Sequence, residues 1–542
     1  MDCTAAIRQR LRLLLPDAKE IMKIGGTPGA AIAVIHEGQL LHTDYIGFRD
    51  TEAQYTIDQD TVFPCASLTK AVVCAAVALC VEDGSFEWDT PVKDILPDFR
   101  IKNKILKKLM TPVDCLSHRS GLQGTMCWLG SKNNILISDD KRLDFINGLL
   151  PVKSFRNEYL YTNLGYDVAA LILKRATGDS WEHFLRRWIF DPLSMSRTYT
   201  RPCPASESNV SKSYVALDDA STVEVMPMLT SGDTVGGAGS AMRSCIRDLS
   251  KLYIEFLCAG AHQFENNVTK TPGSPLKQVP FLFSSKIAMK KSSLHETSYA
   301  LGWARMQTPG PMGAIGLNPY LLHPDPLPNV GKNHPSELVL YHQGLMPGNM
   351  AAVNLIPSTK GAIIVLTNSL ALNDVADWLG QMYLEAYLGV KNKNDYVTWS
   401  RKTAAAALRW YPNLLEQIAR YHVPGTTAQA LSAYVGFYYN RSRTLMIHIF
   451  VDNEDCLKIA FQGRADEIYP LQHYHLDVFL WLVPRDEFAR RGRFTTEGLI
   501  YFKIKFIRSR VANIIDSLKW WHDKDMEEPE EFTKARIPPY RN

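Results

Sequence analysis

A serine and a lysine lie one helical turn apart at the start of an apolar run. Residues 63–71 have the sequence FPCASLTKA, and the apolar run that continues to Val81 predicts a buried helix over 66–83. Ser67 and Lys70 share one face of that helix. Because burial disfavours a charged lysine and lowers its pKa, Lys70 can accept the hydroxyl proton and activate Ser67 as a nucleophile.

The alternative for this pair is a serine that caps the helix and a lysine that reaches solvent. The S-x-x-K spacing is weak by itself, because it recurs at Ser138–Lys141 and Ser274–Lys277. Those two pairs lie in a polar loop and a Pro/Gly-rich loop, and neither begins a buried helix. A helix N-terminus also favours anions, so the backbone N–H of Ser67 can stabilise an oxyanion.

A tyrosine and an asparagine precede a second predicted helix. They lie in the segment EYLYTNLGYDVAALILKRATG, which places Tyr161 in the loop at the helix start. A phenolate near a lysine can take or return a proton, and Asn163 offers a donor and an acceptor to a substrate amide. The alternative is a loop aromatic that packs over the helix, and the spacing recurs at Tyr411–Asn413 and Tyr438–Asn440.

A third candidate segment, YHQGLMPG over 341–348, ends one predicted strand and turns into the next. A glycine such as Gly344 lets a substrate approach the backbone closely. N–H groups at a sheet edge can bind an extended acyl group or complete an oxyanion hole. The alternative is a tight hairpin that carries a buried or surface histidine at His342.

Several other catalytic signatures are absent. The sequence contains no GxSxG, GxxxxGK[ST], GxGxxG or HExxH motif. His473 and His475 can lie on one strand face, but no third metal ligand is evident nearby. We therefore predict no metal ion and no cofactor.

Distant segments must position these candidate residues. A helix over 5–23 and a hairpin formed by AAIAVIH and QLLHTDYIG are predicted first. Helices and long loops follow over 85–285. The runs ELVLYHQG, NMAAVNLIP and GAIIVLTNS predict sequential antiparallel strands, followed by a helix over 374–388. We expect one antiparallel sheet made from both ends of this region, an all-helical lobe beside it, and a site in the cleft between them.

The pattern changes after residue 390. Residues 390–400 are a polar linker candidate, and one helix over 401–422 precedes short β-like segments that predict a small sandwich or barrel. The expected domains are 1–390, which carries the candidate site, and 391–542, which is β-rich and lipocalin-like or barrel-like.

Composition limits the class of protein. The 542 residues include Lys+Arg 60 and Asp+Glu 56, a net charge of +4, which is too small a bias to predict a nucleic-acid partner. The longest apolar stretch, Ala71–Val81, is too short to span a membrane. The N-terminus has no signal-peptide pattern and the 10 cysteines form no CxxC pair, so we expect free thiols and a cytoplasmic location. The Pro/Gly-rich stretch Thr308–Pro335 and the acidic run Met526–Glu531 are expected at the surface.

The three candidate segments, in this order, resemble the serine β-lactamase and penicillin-binding-protein family. The resemblance is to the branch with class C β-lactamases, D-Ala-D-Ala carboxypeptidases, esterases and acyltransferases, and it covers about residues 8–390. It extends through DQDTVFPCASLTKAV, TPVDCLSHRSGL, GGAGSAMRSCIRDLSKL and YALGW. It implies an α/β (α+β) fold of the β-lactamase/transpeptidase type: an antiparallel sheet flanked by helices, an all-helical lobe, and a small C-terminal β-barrel-like domain.

The resemblance also implies roles for matched residues. Ser67 would form the acyl-enzyme, Lys70 would assist its deprotonation, and Tyr161 would act as the proton-shuttling phenol. Asn163 would contact the substrate. The backbone N–H of Leu345 would complete an oxyanion hole with that of Ser67.

One matched position departs from the family pattern. His342-Gln343-Gly344 stands where the family has Lys-Thr-Gly. The lysine of that motif helps to bind the carboxylate of β-lactams and peptides, whereas histidine is common in members that act as esterases, amidases or acyltransferases. Histidine carries at most a fractional positive charge near neutral pH, which argues against β-lactamase activity.

The sequence therefore predicts a serine acyl hydrolase acting on a small-molecule acyl ester, thioester or amide. The chain is also similar to fungal family members that transfer or hydrolyse acyl groups in polyketide metabolism. Two alternatives stay open: an acyltransferase or transesterase that passes the acyl group to an alcohol, and a non-catalytic scaffold that keeps the fold. In the C-terminal domain, we expect Trp481, Trp520 and Trp521 to fill the domain's own core. The alternative is that they line a hydrophobic substrate entrance.

Overall fold

The computed structural model describes residues 3–290, 295–509 and 514–535. In this part of the chain, the helices of eight residues or more are Cys3–Arg12, Leu15–Gly25, Thr69–Glu82, Leu164–Thr177, Ile246–Glu265, Val375–Leu388, Tyr396–Leu408 and Trp410–Tyr421. Shorter helices lie at Val92–Ile95, Lys104–Leu109, Pro112–Leu116, Arg142–Gly148, Trp181–Leu185, Gly237–Ser240, Val279–Phe283, Asn318–Leu322 and Arg485–Arg490.

Antiparallel strands from distant segments form one nine-stranded sheet in the described residues, the large sheet. Its strands, in spatial order, are Tyr55–Thr56, Gln39–Asp50, Gly29–His36, Gly361–Thr367, Asn349–Ile356, Leu338–Met346, Ala304–Gln307, Thr297–Tyr299 and Ile287–Ala288. The N-terminal hairpin lies beside the last of the three sequential strands, with Ile32 opposite Val365. The predicted sheet from distant segments is therefore confirmed.

Helices cover both faces of the large sheet. Strands Asn349–Ile356 and Gly361–Thr367 are buried along their whole length, as expected for strands packed on two faces. Alternate residues of these strands pack with helix Val375–Leu388 on one face and with helix Ile246–Glu265 on the other. The sheet is thereby held between two apolar layers.

The buried helix predicted after Ser67 is Thr69–Glu82. Every residue of it except Glu82 is buried, because a helix that is apolar all round needs protein on all sides. It packs against helix Leu164–Thr177 and the short helix Gly237–Ser240. These helices form the lobe beside the large sheet, as predicted.

A second nine-stranded sheet of the described residues, the C-terminal sheet, forms a nearly closed barrel. Its strands, in spatial order, are Ile468–Pro470, Leu457–Phe461, Met446–Val451, Gly436–Tyr439, Glu530–Lys534, Ile515–Trp520, Lys503–Arg508, Val478–Leu480 and Gln472–His475. The first and last strands of this order are consecutive in the chain, with only Leu471 between them, but they are not paired with each other. The barrel therefore has one open seam. Trp481 and Trp520 are buried inside the barrel and Trp521 is half-buried, so the first two tryptophans fill its core.

The remaining described strands make three small sheets: Ser213–Ala216 with Thr222–Val225 and Ser369–Leu370, Phe63–Pro64 with Arg243–Ser244, and Gly310–Pro311 with Asn329–Val330.

The linker candidate, residues 390–400, is packed against the protein at some of its residues. Asn394 donates from its backbone N–H and its side chain to the Glu385 carboxylate, at 2.8 and 2.9 Å. Helix Tyr396–Leu408 begins inside this segment and packs against helix Leu15–Gly25. Asn394 is therefore a hydrogen-bonding partner of the large-sheet region, whereas residues 391–393 are exposed, and the division at residue 390 stays a prediction.

Four further details differ from the sequence-based expectations. The single helices expected over 5–23 and 401–422 are each two helices. Within Thr308–Pro335, Met312, Leu322 and Val330 are buried, so this stretch is partly core. The acidic run ends in the strand Glu530–Lys534, which pairs on both sides and joins the two halves of the C-terminal sheet.

Candidate active site

Ser67 lies in a tight turn that is held on several sides. The turn Ala66–Leu68 precedes helix Thr69–Glu82, and Ala66 has a φ of +46°, which L-residues seldom adopt. The Thr69 hydroxyl donates to the Ala66 carbonyl at 2.6 Å and accepts from the Met242 N–H at 2.9 Å. These bonds fix the backbone that presents the Ser67 side chain, which is 8% exposed.

Lys70 is fully buried and points at Ser67. Its Nζ lies 3.0 Å from Ser67 Oγ, 2.7 Å from Asn163 Oδ1 and 2.8 Å from the Gly239 carbonyl oxygen. Burial lowers the pKa of Lys70 well below its usual value. A neutral amine can donate two hydrogens to Asn163 and Gly239 and accept the Ser67 proton, so the geometry suits a general base.

Tyr161 approaches Ser67 from the other side. Its hydroxyl donates to Ser67 Oγ at 2.8 Å, from the loop just before helix Leu164–Thr177, as expected. Burial raises the pKa of Tyr161 above its ordinary value. The side chain is therefore a neutral phenol that donates a hydrogen bond, whereas the sequence interpretation considered a phenolate.

Asn163 is linked to the base and keeps an amide donor for a ligand. Its Oδ1 accepts from Lys70, and its Nδ2 lies 3.4 Å from Met126 Sδ, which is a weak acceptor. A Cβ on Gly239 would lie 3.0 Å from Asn163 Oδ1, so glycine is needed there for close packing. One helical turn along, Asp167 is buried and its carboxylate accepts from the Gly236 N–H at 2.7 Å.

The third predicted segment passes directly behind the Ser67 turn. A Cβ on Gly344 would lie 2.4 Å from the Cys65 carbonyl oxygen, so only glycine permits this approach of strand and turn. The neighbouring strand Ala304–Gln307 pairs with this strand only as far as Tyr341. Residues 342–346 therefore have one edge beside the turn, and half-buried Leu345 lies in that stretch.

His342 lies among aromatic rings and is buried at 1% exposure. Its ring centroid is 6.2 Å from that of Tyr161 and 6.0 Å from that of Tyr299. Burial, with a smaller effect of Lys70, lowers the pKa of His342 to about 3. The fractional charge expected from the sequence is thus removed by the surroundings.

The sequence interpretation assigned no role to three residues at this site. His118 packs on Tyr161 with ring centroids 4.3 Å apart and accepts from the Thr162 N–H at 3.1 Å. Tyr299 hydrogen-bonds His342, and the Gly239 carbonyl holds Lys70. All three lie in segments that carry the family resemblance, which was the available signal.

The barrel holds the loop that packs on Asn163. In this loop, residues 123–136, the Thr125 hydroxyl donates to the His522 carbonyl at 3.1 Å and lies 2.8 Å from His522 Nδ1. Burial opposes a charge on His522, but Cys127 and Glu530 raise its pKa to about 10, so Nδ1 carries a hydrogen and donates to Thr125 while the hydroxyl hydrogen goes to the carbonyl. The other ring nitrogen lies 2.7 Å from the Glu530 carboxylate, so both nitrogens carry hydrogens and His522 is charged.

A buried ion pair makes a second contact to the same loop. Arg493 donates to the Glu467 carboxylate at 2.8 Å and to the Leu129 carbonyl at 2.6 Å. Glu467 in turn accepts from the backbone N–H of Ser131, and the Ser131 hydroxyl lies 2.6 Å from the Tyr469 hydroxyl. The loop that carries Met126 is thereby fixed by the barrel.

Metal ligands, membrane-spanning helices and cysteines would mark other kinds of site in the described residues. No group of three or more His, Cys, Asp or Glu side chains in residues 3–290, 295–509 and 514–535 could hold a metal ion, and His473 instead lies 2.9 Å from the Leu476 carbonyl. No helix in those ranges is long and apolar enough to cross a membrane. The cysteines from Cys65 to Cys456 are free, and a cytoplasmic location stays a prediction.

Known proteins share this architecture. The family described as Beta-lactamase matches residues 17–403. The unguisins hydrolase ungD of Aspergillus violaceofuscus is 27% identical over 455 residues, which are 78% of this chain and 73% of that protein. Penicillin-binding protein 4 of Amycolatopsis lactamdurans is 28% identical over 191 residues, 35% of this chain and 49% of that protein.

A solved structure extends the likeness to the barrel. The octameric penicillin-binding protein homologue from Pyrococcus abyssi has a TM-score of 0.55 and 18% identity, with 98% of this chain and 100% of that chain covered. That likeness shows the fold of both sheets. The family match spans most of the chain, and the chain therefore belongs to the β-lactamase family.

Proposed function

We propose that this protein is a serine acyl hydrolase that forms an acyl-enzyme on Ser67. One arrangement carries the proposal: Ser67 Oγ lies 3.0 Å from the Nζ of fully buried Lys70 and 2.8 Å from the hydroxyl of Tyr161. A nucleophile, a base with a lowered pKa and a phenol donor thus meet at one atom. The hydrolase named among the relatives supports this reaction class.

Acylation begins when Ser67 Oγ attacks the carbonyl carbon and its proton passes to Lys70. The new C–O bond forms as the carbonyl π electrons move to oxygen, where the N–H groups of Ser67 and Leu345 stabilise the oxyanion. When the tetrahedral intermediate collapses, the bond to the leaving oxygen, sulfur or nitrogen breaks. That atom takes the proton held by Lys70, with Tyr161 as the relay.

Deacylation repeats the sequence with water. Neutral Lys70 takes a proton from the attacking water, the acid leaves, and Ser67 Oγ regains its proton. No step requires a metal or a cofactor.

Intact-protein mass spectrometry tests the proposal. We expect the wild type to gain the acyl mass from a p-nitrophenyl ester, an acyl thioester or an amide, and Ser67→Ala to gain none. Ser138→Ala is the matched control, because Ser138 has the same spacing to a lysine but is exposed. Full turnover by Ser67→Ala would refute the proposal, and the reagent that labels the wild type identifies the acyl class.

Transfer of the acyl group to an alcohol is the second candidate. Ser67 is only 8% exposed, which restricts the access of water to an acyl-enzyme. Product analysis with and without small alcohols separates the two reactions, because a transesterase yields mostly ester and a hydrolase mostly acid. A role in polyketide metabolism stays a prediction.

The burial of Lys70 argues against a non-catalytic scaffold, because it lowers the stability of the fold. A fully buried lysine without an ion-pair partner destabilises a fold, and a scaffold gains nothing from it. The scaffold alternative predicts no adduct and no turnover with any reagent of the panel.

A further inference from the structure

His342 has no free hydrogen-bonding atom for a ligand. Its Nδ1 lies 2.7 Å from the Gln343 carbonyl oxygen, which only accepts, so Nδ1 carries the hydrogen. Its Nε2 lies 2.9 Å from the Tyr299 hydroxyl, so in the neutral ring that nitrogen accepts from the phenol. Tyr299 thereby fixes one tautomer, and the fully buried phenol and imidazole satisfy each other.

Lys70 is committed in the same way. The two hydrogens of the neutral amine are directed at Asn163 Oδ1 and the Gly239 carbonyl, and its lone pair is directed at Ser67 Oγ. Among the described residues, no other lysine or arginine hydrogen-bonds Ser67 or Tyr161. The exposed cation Lys524 of the barrel lies over a different ring, that of Tyr320, 4.6 Å from its centroid.

Asn163 offers a neutral polar group to a ligand. Asn163 Nδ2 has only the Met126 thioether as its hydrogen-bond partner in the described part of the chain. An amide N–H can donate to a carbonyl oxygen of a neutral substrate. A carboxylate placed at the same point would lose its hydration without gaining a cation, which disfavours its binding.

We propose that the substrate of Ser67 is uncharged on both sides of the scissile carbonyl, as in an internal ester or amide linkage, and that the Tyr299–His342 pair excludes a neighbouring carboxylate. This inference rests on the proposed function, since Ser67 must be the nucleophile. It names the substrate class: a linkage within a longer chain or ring, in contrast to one next to a free acid.

Two matched pairs of esters test the inference with the full chain. The p-nitrophenyl esters of glutaric acid monoamide and of glutaric acid place a carboxamide or a carboxylate on the acyl side. The butyryl esters of 4-hydroxybenzamide and 4-hydroxybenzoate place the same groups on the leaving side. After subtraction of the enzyme-free hydrolysis rate of each ester, which includes attack by the glutarate's own carboxylate, we expect kcat/KM to favour the carboxamide member of each pair by at least about tenfold.

Three variants assign that selectivity to the pair. His342→Lys supplies a cation, and the carboxamide-to-carboxylate ratio should fall by about tenfold or reverse. Tyr299→Phe releases His342 Nε2 and should lower the ratio less. Tyr253→Phe removes another buried hydroxyl, one without a hydrogen-bond partner among the residues that the structure describes, and should leave the ratio unchanged. A ratio of rates is insensitive to a general loss of folded protein.

Equal rates or a carboxylate preference in the wild type would overturn the inference, as would an unchanged ratio in His342→Lys. A carboxylate preference that disappears in Lys524→Ala would assign recognition of the acid to Lys524 and also refute it. Turnover by Ser67→Ala at the wild-type rate would instead refute the proposed function. If acylation requires Ser67 but ignores the terminal group, only the present inference fails.

Discussion

The Ser67 site and the contact between the barrel and the loop 123–136 treat buried ionisable groups in opposite ways. At the site, Lys70 and His342 have lowered pKa values, and neither forms an ion pair in the described residues. At the contact, Arg493 pairs with Glu467 at 2.8 Å. The first region keeps its buried nitrogens neutral, and the second keeps them charged.

The neutral groups at the Ser67 site serve the proposed reaction, whereas the charged groups at the contact with the barrel hold the fold together. A neutral buried amine has a lone pair ready for a proton, so Lys70 is prepared to act at the cost of some stability. A buried charge pair holds two segments in one geometry, and removing one partner leaves an uncompensated charge. Substitutions at the site should therefore change rates, and substitutions at the contact should change stability.

The largest effect is expected for Lys70→Arg. Arginine keeps the positive charge but does not lose its proton in proteins, so acylation of Ser67 should fall by about 10²–10⁴-fold. Single-turnover release of p-nitrophenol measures this rate, and a thermal melt checks that the variant is folded. Lys141→Arg, at an exposed lysine of a second S-x-x-K pair, is the control. Acylation within tenfold of the wild type would mean that Lys70 acts through its charge alone.

The next largest effect is expected for Glu467→Gln. The substitution leaves Arg493 buried and charged, so the free energy of unfolding should fall by about 3–5 kcal/mol, measured by denaturant titration. The rate per folded molecule should change less than in Lys70→Arg. The exposed pair Arg409–Glu416 is the matched control, because Glu416→Gln should cost no more than about 1 kcal/mol.

The double variant Glu467→Leu with Arg493→Met tests the cause of that loss. If the cost comes from the unpaired charge, the double variant should be more stable than Glu467→Gln. A Glu467→Gln variant as stable as the wild type would remove the contrast between the two regions.

The smallest effect is a pH dependence of stability from His522. Burial opposes its charge, but Cys127 and Glu530 favour it and raise its pKa to about 10. The stabilisation from a raised histidine pKa is fully present below the unfolded value near 6.5 and is lost as pH rises through about 10. His522→Gln should therefore destabilise by about 1.5–3 kcal/mol at pH 6 and by less at pH 10, in denaturant titrations at both pH values. An equal loss at both pH values would show that His522 is neutral.

Local pattern was sufficient for much of the candidate site. An apolar run of helical length fixes where Ser67 and Lys70 stand relative to each other, and β-branched runs locate the strand of His342. Both inferences use residues within a few positions of each other, where chain geometry alone determines the face.

Tertiary contacts explain what the sequence did not predict. The Gly239 carbonyl contacts Lys70 and the Tyr299 hydroxyl contacts His342 only after folding. The local sequence around Lys70 and His342 predicts neither contact. The strand Glu530–Lys534 has one fully buried apolar side chain, Phe532. One apolar residue among acidic residues gives no alternating pattern, so the sequence did not predict this strand. Its place in the barrel is set by the strands on either side.

The pairing of Ile32 with Val365 has a consequence for synthesis of the chain. At about 5–20 residues per second, tens of seconds separate the emergence of the N-terminal hairpin from that of the strand that covers its inner edge. During this interval the apolar strand Gly29–His36 has an unpaired edge, the feature that recruits other strands and promotes aggregation. A lower expression rate, which reduces the concentration of nascent chains, should therefore improve the yield of folded protein. Co-expression of a chaperone that binds extended segments should have the same effect.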